Sequence, residues 1–165
     1  MNLDERIAIW NYEHEITLRV IRRLPDCGLE FQPHPHATTS GKLAWHIVRS
    51  EHFFIEAVLA GTFQHAAPFP ARPADAEAMA ALLEENHRRL VQRVQELPEA
   101  LLQRRIAFGT RWNYPAAMYL VVCVHHEIHH RGQLTEHLRL MGQKVPAIYG
   151  PSADEPAPAL AIGIQ

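Results

Sequence analysis

Apolar positions along this chain recur mostly with helical period, and few segments alternate with the period of two that marks a strand. Ile7, Trp10, His14, Thr17, Leu18 and Ile21 line one side of a segment running from Asn2 to Leu24. Asn2, with Glu5 three residues on, has the form of a capping box, and Pro25 ends the helix. The stretch 25–39, holding Pro33-His34-Pro35-His36, reads as a loop. A second helix begins after Thr39 or Ser40, either of which can cap it, and stops at Gly61. A third runs from Ala74 to Leu97, between Pro73 and Pro98. Residues 98–113 form a longer connection, with a helical turn at Glu99 to Gln103 and a brief extended piece at Arg105 to Phe108. The fourth helix starts near Asn113, with Pro115 in its first turn, and ends at Met141-Gly142 with the glycine as cap. The tail from Val145 carries Pro146, Pro151, Pro156 and Pro158 and either wraps or frays.

Four long amphipathic helices predict an all-α fold, a four-helix bundle forming a single domain over residues 1–165. The long connection between helices three and four suits a crossover. Neither an internal repeat nor a linker interrupts the chain.

The composition narrows the function classes. The chain has 165 residues, of which 47% are hydrophobic and 21% charged, and a net charge of -2. That is ordinary for a globular protein, and it gives no electrostatic footprint for nucleic acid. No apolar run is long enough for a membrane span. The N-terminus lacks the basic-then-apolar order of a signal peptide. Two cysteines, Cys27 and Cys123, make no disulfide framework, so the expected location is the cytoplasm.

Twelve histidines change the picture. Four of them fall within six residues, in His125-His126-Glu127-Ile128-His129-His130. On a helix, His130, Gln133 and His137 lie within about 40° of His126, while Arg131, Thr135 and Arg139 point away. His126 and His130 are therefore expected to face the core one turn apart, a spacing that lets two rings bind one ion. His125 and His129 form a second pair toward the edge of that face, read as exposed or interfacial. His46 on helix two, at the edge of an apolar face made by Leu43, Ile47, Phe53 and Phe54, can supply a third imidazole; His52 reads as solvated. Three imidazoles leave a coordination position open, as catalytic metal sites do. The all-nitrogen set suits Zn²⁺, Ni²⁺, Fe²⁺ or Cu²⁺. Cys123, near the same stripe, reads as a small core residue or as a fourth ligand that would close the site.

His126-Glu127-Ile128-His129-His130 also matches the H-E-x-x-H pattern of zinc peptidases. The longer metzincin pattern fails, because Gln133 and Glu136 stand where its glycine and third histidine belong. A peptidase is the weaker alternative, with Glu127 expected to be a supporting or surface residue.

Ser40-Gly41-Lys42-Leu43-Ala44-Trp45-His46-Ile47, taken with His126-Glu127-Ile128-His129-His130-Arg131-Gly132-Gln133-Leu134, resembles the DinB-like superfamily of metal-dependent enzymes, whose second motif is written H-x-x-x-H-R-G-Q. The likeness extends to helix order and to the Leu-Arg-Leu-Met-Gly end of helix four. It implies one divalent ion held by His46, His126 and His130. Zinc or nickel is the expected ion, with iron and manganese as further candidates. It also implies homodimers and, for some members, transferases and isomerases that use low-molecular-weight thiols such as bacillithiol or mycothiol. The expected function is thus a metal-dependent transferase or hydrolase acting on a small molecule, with a possible thiol cosubstrate. A non-catalytic metal-binding stress-response protein is the alternative. The candidate general bases are Glu127, Glu51 and His129.

Overall fold

The computed structural model describes residues 2–64 and 68–157. Helix α1 spans Leu3–Ile21 and opens with the expected capping box. Asn2 Oδ1 accepts from the Glu5 N–H at 2.9 Å, and Glu5 Oε2 accepts from the Asn2 N–H at 2.8 Å. A short 3-10 turn, Asp26–Gly28, follows. Helix α2, Ser40–Ala60, is capped by Thr39 and closed by Gly61. Helix α3, Ala76–Gln95, is capped by the Asp75 side chain, which the prolines had masked in the sequence. A single turn, α4 (Glu99–Leu102), leads into α5, Ala116–Leu140.

One boundary departs from expectation. The fourth long helix does not begin at Asn113, because strands β1 (Arg105–Phe108) and β2 (Trp112–Pro115) form an antiparallel hairpin in which Ala107 pairs with Asn113. Tyr114 precedes a proline, which disfavours helical backbone, and aromatic Trp112 and Tyr114 suit a strand. The hairpin is anchored by the Tyr119 hydroxyl, which donates to the Ile106 carbonyl at 2.7 Å.

At its other end α5 stops in a Schellman arrangement. The Gly142 N–H bonds to the Arg139 carbonyl, and the Gln143 N–H bonds to that of Leu138. Gly142 sits at φ 70°, a conformation open to a residue without Cβ.

The four long helices form a bundle in which α1 packs on α3 and α5, and α2 packs on the same two. Helices consecutive in sequence, α1 and α2, therefore stand on opposite corners, as do α3 and α5. The loop over 22–39 and the connection over 96–115 both cross the bundle. As far as residue 157, the tail wraps rather than frays. Arg19 donates to the Ala147 carbonyl at 2.8 Å, and Arg139 pairs with Asp154 at 2.7 Å. Pro158 lies outside the described residues. No helix among the described residues is long and apolar enough to cross a membrane.

The apolar interior falls into two clusters. One gathers Leu18, Leu43, Ile47, Leu83 and Leu134, and the other Trp10, Phe54, Leu90, Tyr119 and Cys123. Between them, at mid-height on every long helix, lies a belt of buried polar residues. It comprises Glu13, His14 and Thr17 of α1, Glu51 of α2, Asn86 and His87 of α3, and Glu127 and Arg131 of α5. Such groups persist in an interior only when bonded or uncharged.

Candidate metal centre

Helix α2 packs directly against α5, and that contact brings His46 to the His126/His130 pair. Nε2 of His46 lies 3.1 Å from Nε2 of His126 and 3.2 Å from Nε2 of His130. A neutral imidazole has one N–H and one lone pair, so three ring nitrogens converging on one point cannot all bond to one another. Donors at this separation suit a shared ion, since zinc–imidazole bonds run about 2.0–2.1 Å. The Nδ1–H of His130 donates to Gln133 Oε1 at 2.8 Å, which leaves its Nε2 lone pair facing the cluster. The Phe54 ring stands edge-on to His126, with centroids 5.5 Å apart.

The three histidines are not core residues. His46 is exposed and the other two are half-buried, and His46 and His130 line an open cavity of about 820 Å³. Burial still lowers the proton affinity of His46, with the neighbouring His130 and Arg49 charges adding to it. For His126, burial together with His130, His46 and His129 brings the value down to about 4. Both rings thus favour the unprotonated form that a metal needs.

The true core stripe of α5 runs through Cys123, Glu127, Arg131, Leu134 and Leu138. Arg131, expected to point into solvent, is 2% exposed. Its guanidinium meets Glu13 Oε2 at 2.6 Å, Thr17 Oγ1 at 3.2 Å and the Tyr149 hydroxyl at 2.7 Å. His52, expected to be solvated, is buried, with Nδ1 3.2 Å from Asn86 Oδ1. Both departures have one cause: polar residues of the belt interrupt the apolar stripe, so the pattern shifts the apparent core face around the helix.

The candidate bases separate. Glu51 is buried in the belt, where its carboxylate accepts from Trp10 Nε1 at 3.0 Å, Asn86 Nδ2 at 3.1 Å and His87 Nδ1 at 2.7 Å. Glu127 is also buried, and neither of its oxygens has a hydrogen-bond partner among the described residues. Burial, and then the Glu51 charge, push its carboxyl up to about 8. Neither glutamate lines the cavity. His129 is exposed, its ring 4.8 Å from that of His130, and His125 is exposed as well. Cys123 is fully buried, and burial followed by the Glu51 and Glu127 charges raises its thiol well above the usual range. It is not among the converging ligand atoms.

A second set, His14, Glu51 and His87, also brings three ligand atoms within 4.8 Å of one another. Sequence reading placed His14 only on an apolar face and passed over His87. The signal was there in α3, where Asn86 and His87 occupy the apolar register between Leu83 and Leu90. This set is sealed from solvent, and its carboxylate is already occupied by three donors, so it offers no position for a substrate. The His46 cluster does.

Comparisons with known proteins find relatives of the same family and fold. The model of the DinB family matches residues 1–162. The Bacillus subtilis (strain 168) protein YrdA, itself uncharacterized, is 30% identical over 154 residues, covering 93% of this chain and 91% of its own. A solved DinB-like protein from Bacillus cereus ATCC 10987 superposes with a TM-score of 0.75 at 28% identity, over 89% of this chain and 97% of that one. YfiT from Bacillus subtilis, described as a probable metal-dependent hydrolase with an unusual four-helix bundle topology, superposes with a TM-score of 0.68 at 19% identity, over 86% of this chain and 90% of that one. At that identity the likeness to YfiT establishes the fold.

Proposed function

The chain belongs to the DinB family, and from that premise we propose that it is a metal-dependent enzyme acting on a small molecule. His46, His126 and His130 hold one divalent ion, zinc or nickel. The observation that carries this reading is the convergence of three Nε2 atoms, 3.1 and 3.2 Å apart, at the wall of an open cavity. The description of YfiT as a probable metal-dependent hydrolase supports it.

A bound divalent ion supplies a Lewis acid that lowers the pKa of a water or thiol placed against it. The chain's own residues do the rest. Gln133 fixes the tautomer and orientation of His130. Phe54 covers one edge of His126. Desolvation and the neighbouring charges bias His46 and His126 toward the unprotonated form, and the cavity on the open side admits the substrate. The reaction is a hydrolysis, or a transfer to an electrophile from a low-molecular-weight thiol. His129, at the surface beside His130, is the candidate proton acceptor. Glu51 and Glu127 are shut in the belt, which also counts against a peptidase that would need Glu127 at the metal. The protein works as a single domain, in the cytoplasm, as a homodimer.

The test is metal content and turnover together. Purified protein should bind one equivalent of zinc or nickel, and His46→Ala should lose most of it while His129→Ala keeps it. Metalated protein should consume a thiol and electrophile pair or an ester, and the chelated protein should not. Full metal content in His46→Ala would refute the ligand set. Metal binding without turnover across a broad panel would favour a non-catalytic metal-binding protein.

A further inference from the structure

The cavity beside the three histidines has a one-sided charge. Lys42, His46, Arg49, His130 and His137 are among the residues that line it, and among the described residues none of the lining is acidic. The chain as a whole has more carboxylates than Lys and Arg together, with a net charge of -2. A wall without a single carboxylate is therefore a local departure from the composition.

The cations are also unspent. Arg22, Arg23, Arg89, Arg93, Arg131 and Arg139 each reach a carboxylate. Among the described residues, Lys42 and Arg49 have no ion-pair partner, although both stand on the cavity wall. Their placement is regular: Lys42, His46, Arg49 and Phe53 follow one another at i, i+4, i+7 and i+11 on α2, and that spacing keeps them on one face. Trp45 and Phe53 add apolar surface between them. A positively charged, half-enclosed concavity concentrates anions, and a guanidinium matches the planar fork of an oxyanion.

We propose that this cavity selects substrates carrying an oxyanion, a carboxylate or a phosphate, with Arg49 as its principal anchor and Lys42 as the second. The reacting end of the substrate lies toward His46 and His130, the anionic end meets Arg49 about one turn after His46 on α2, and Lys42, one turn before His46, adds a second positive charge to the wall. Arg49 is a specificity residue here, not a metal ligand. This deepens the proposed function and rests on it only for the identity of the reacting end.

The test uses succinate and inorganic phosphate as probes, titrated calorimetrically into zinc-loaded protein and into chelator-treated protein. Wild type should bind at least one of the two in both forms, and succinamide, neutral and of similar shape, should bind far more weakly than succinate. Arg49→Gln should weaken the bound anion roughly tenfold to a hundredfold, and Lys42→Gln several-fold. Lys144→Gln, at an exposed position away from the cavity, should leave it unchanged. Preference for succinate identifies a carboxylate substrate, and preference for phosphate a phosphorylated one. Undiminished anion binding in Arg49→Gln, equal binding of succinamide, or no binding of either anion overturns the inference. The metal reading fails separately: if wild type takes up no zinc, or His46→Ala keeps all of it, the ligand set is wrong. The anion result in chelated protein stands either way.

Discussion

Gln133 stands one helical turn after His130, with its Oε1 2.8 Å from the His130 Nδ1. That contact decides which nitrogen of the ring faces His46. Gln133 is itself exposed, so its removal should leave the fold intact. Gln133→Leu should lower metal affinity by about 10–100-fold, the usual effect of losing a partner that orients a ligating histidine. Competition against a chromophoric chelator measures it. Affinity equal to wild type would show that the ring is held by other contacts.

The Arg131–Glu13 pair should dominate stability. Both side chains are nearly sealed from water, 3% and 8% exposed. Arg131→Leu strands a buried carboxylate and should cost about 3–5 kcal/mol, whereas the double variant with Glu13→Leu should recover much of that. Urea unfolding of the two variants compares them directly. A double variant no more stable than the single one would contradict the assignment.

His14 sets an acid limit. Burial, followed by the His87 and Arg22 charges, pushes its proton affinity down to about 2 from an ordinary 6.5. Between those values the unfolded chain binds a proton that the folded chain refuses, so stability falls as pH falls through that window. His14→Phe removes this contribution. Its unfolding free energy should change less steeply between pH 6 and pH 4, by up to about 1.4 kcal/mol per pH unit. Urea titrations at stepped pH give the two slopes, and identical slopes would exclude His14 as their source.

Gly41 sits where α2 meets the preceding loop. Its N–H bonds to the Leu29 carbonyl at 2.7 Å, and a Cβ there would come within 2.9 Å of that same oxygen. Gly41→Ala must push the loop off the helix, at about 1–3 kcal/mol for an overpacked contact. Thermal unfolding should show the loss. A variant as stable as wild type would mean that the loop moves freely.

The sequence disclosed the helices because their ends carry local signals. Asn2 with Glu5, Thr39, Gly61 and Gly142 each act within a few residues of where they stand. The His126/His130 pair was legible because i and i+4 share a helix face whatever the helix packs against. Which way that face points was not legible. Arg131 looks like a solvated residue in the sequence, and only the distant partners Glu13 and Thr17 make its burial tolerable. The same holds for His52 and His87, whose partners lie on another helix. The cavity's charge escaped notice for a related reason: an arginine without a partner looks no different in a sequence from one with a partner.

The tail crosses back to the first helix. The Tyr149 hydroxyl donates to Glu13 Oε2 across a separation of 136 residues, on the carboxylate that Arg131 also holds. During synthesis Glu13 therefore emerges long before either partner exists. The apolar halves of the bundle can begin to gather as α1, α2 and α3 appear, but the waist stays wet until the last quarter of the chain has left the ribosome. Completion of the polypeptide is thereby tied to closure of the interior, and a product that stops short of Arg131 keeps a charged, unsealed centre.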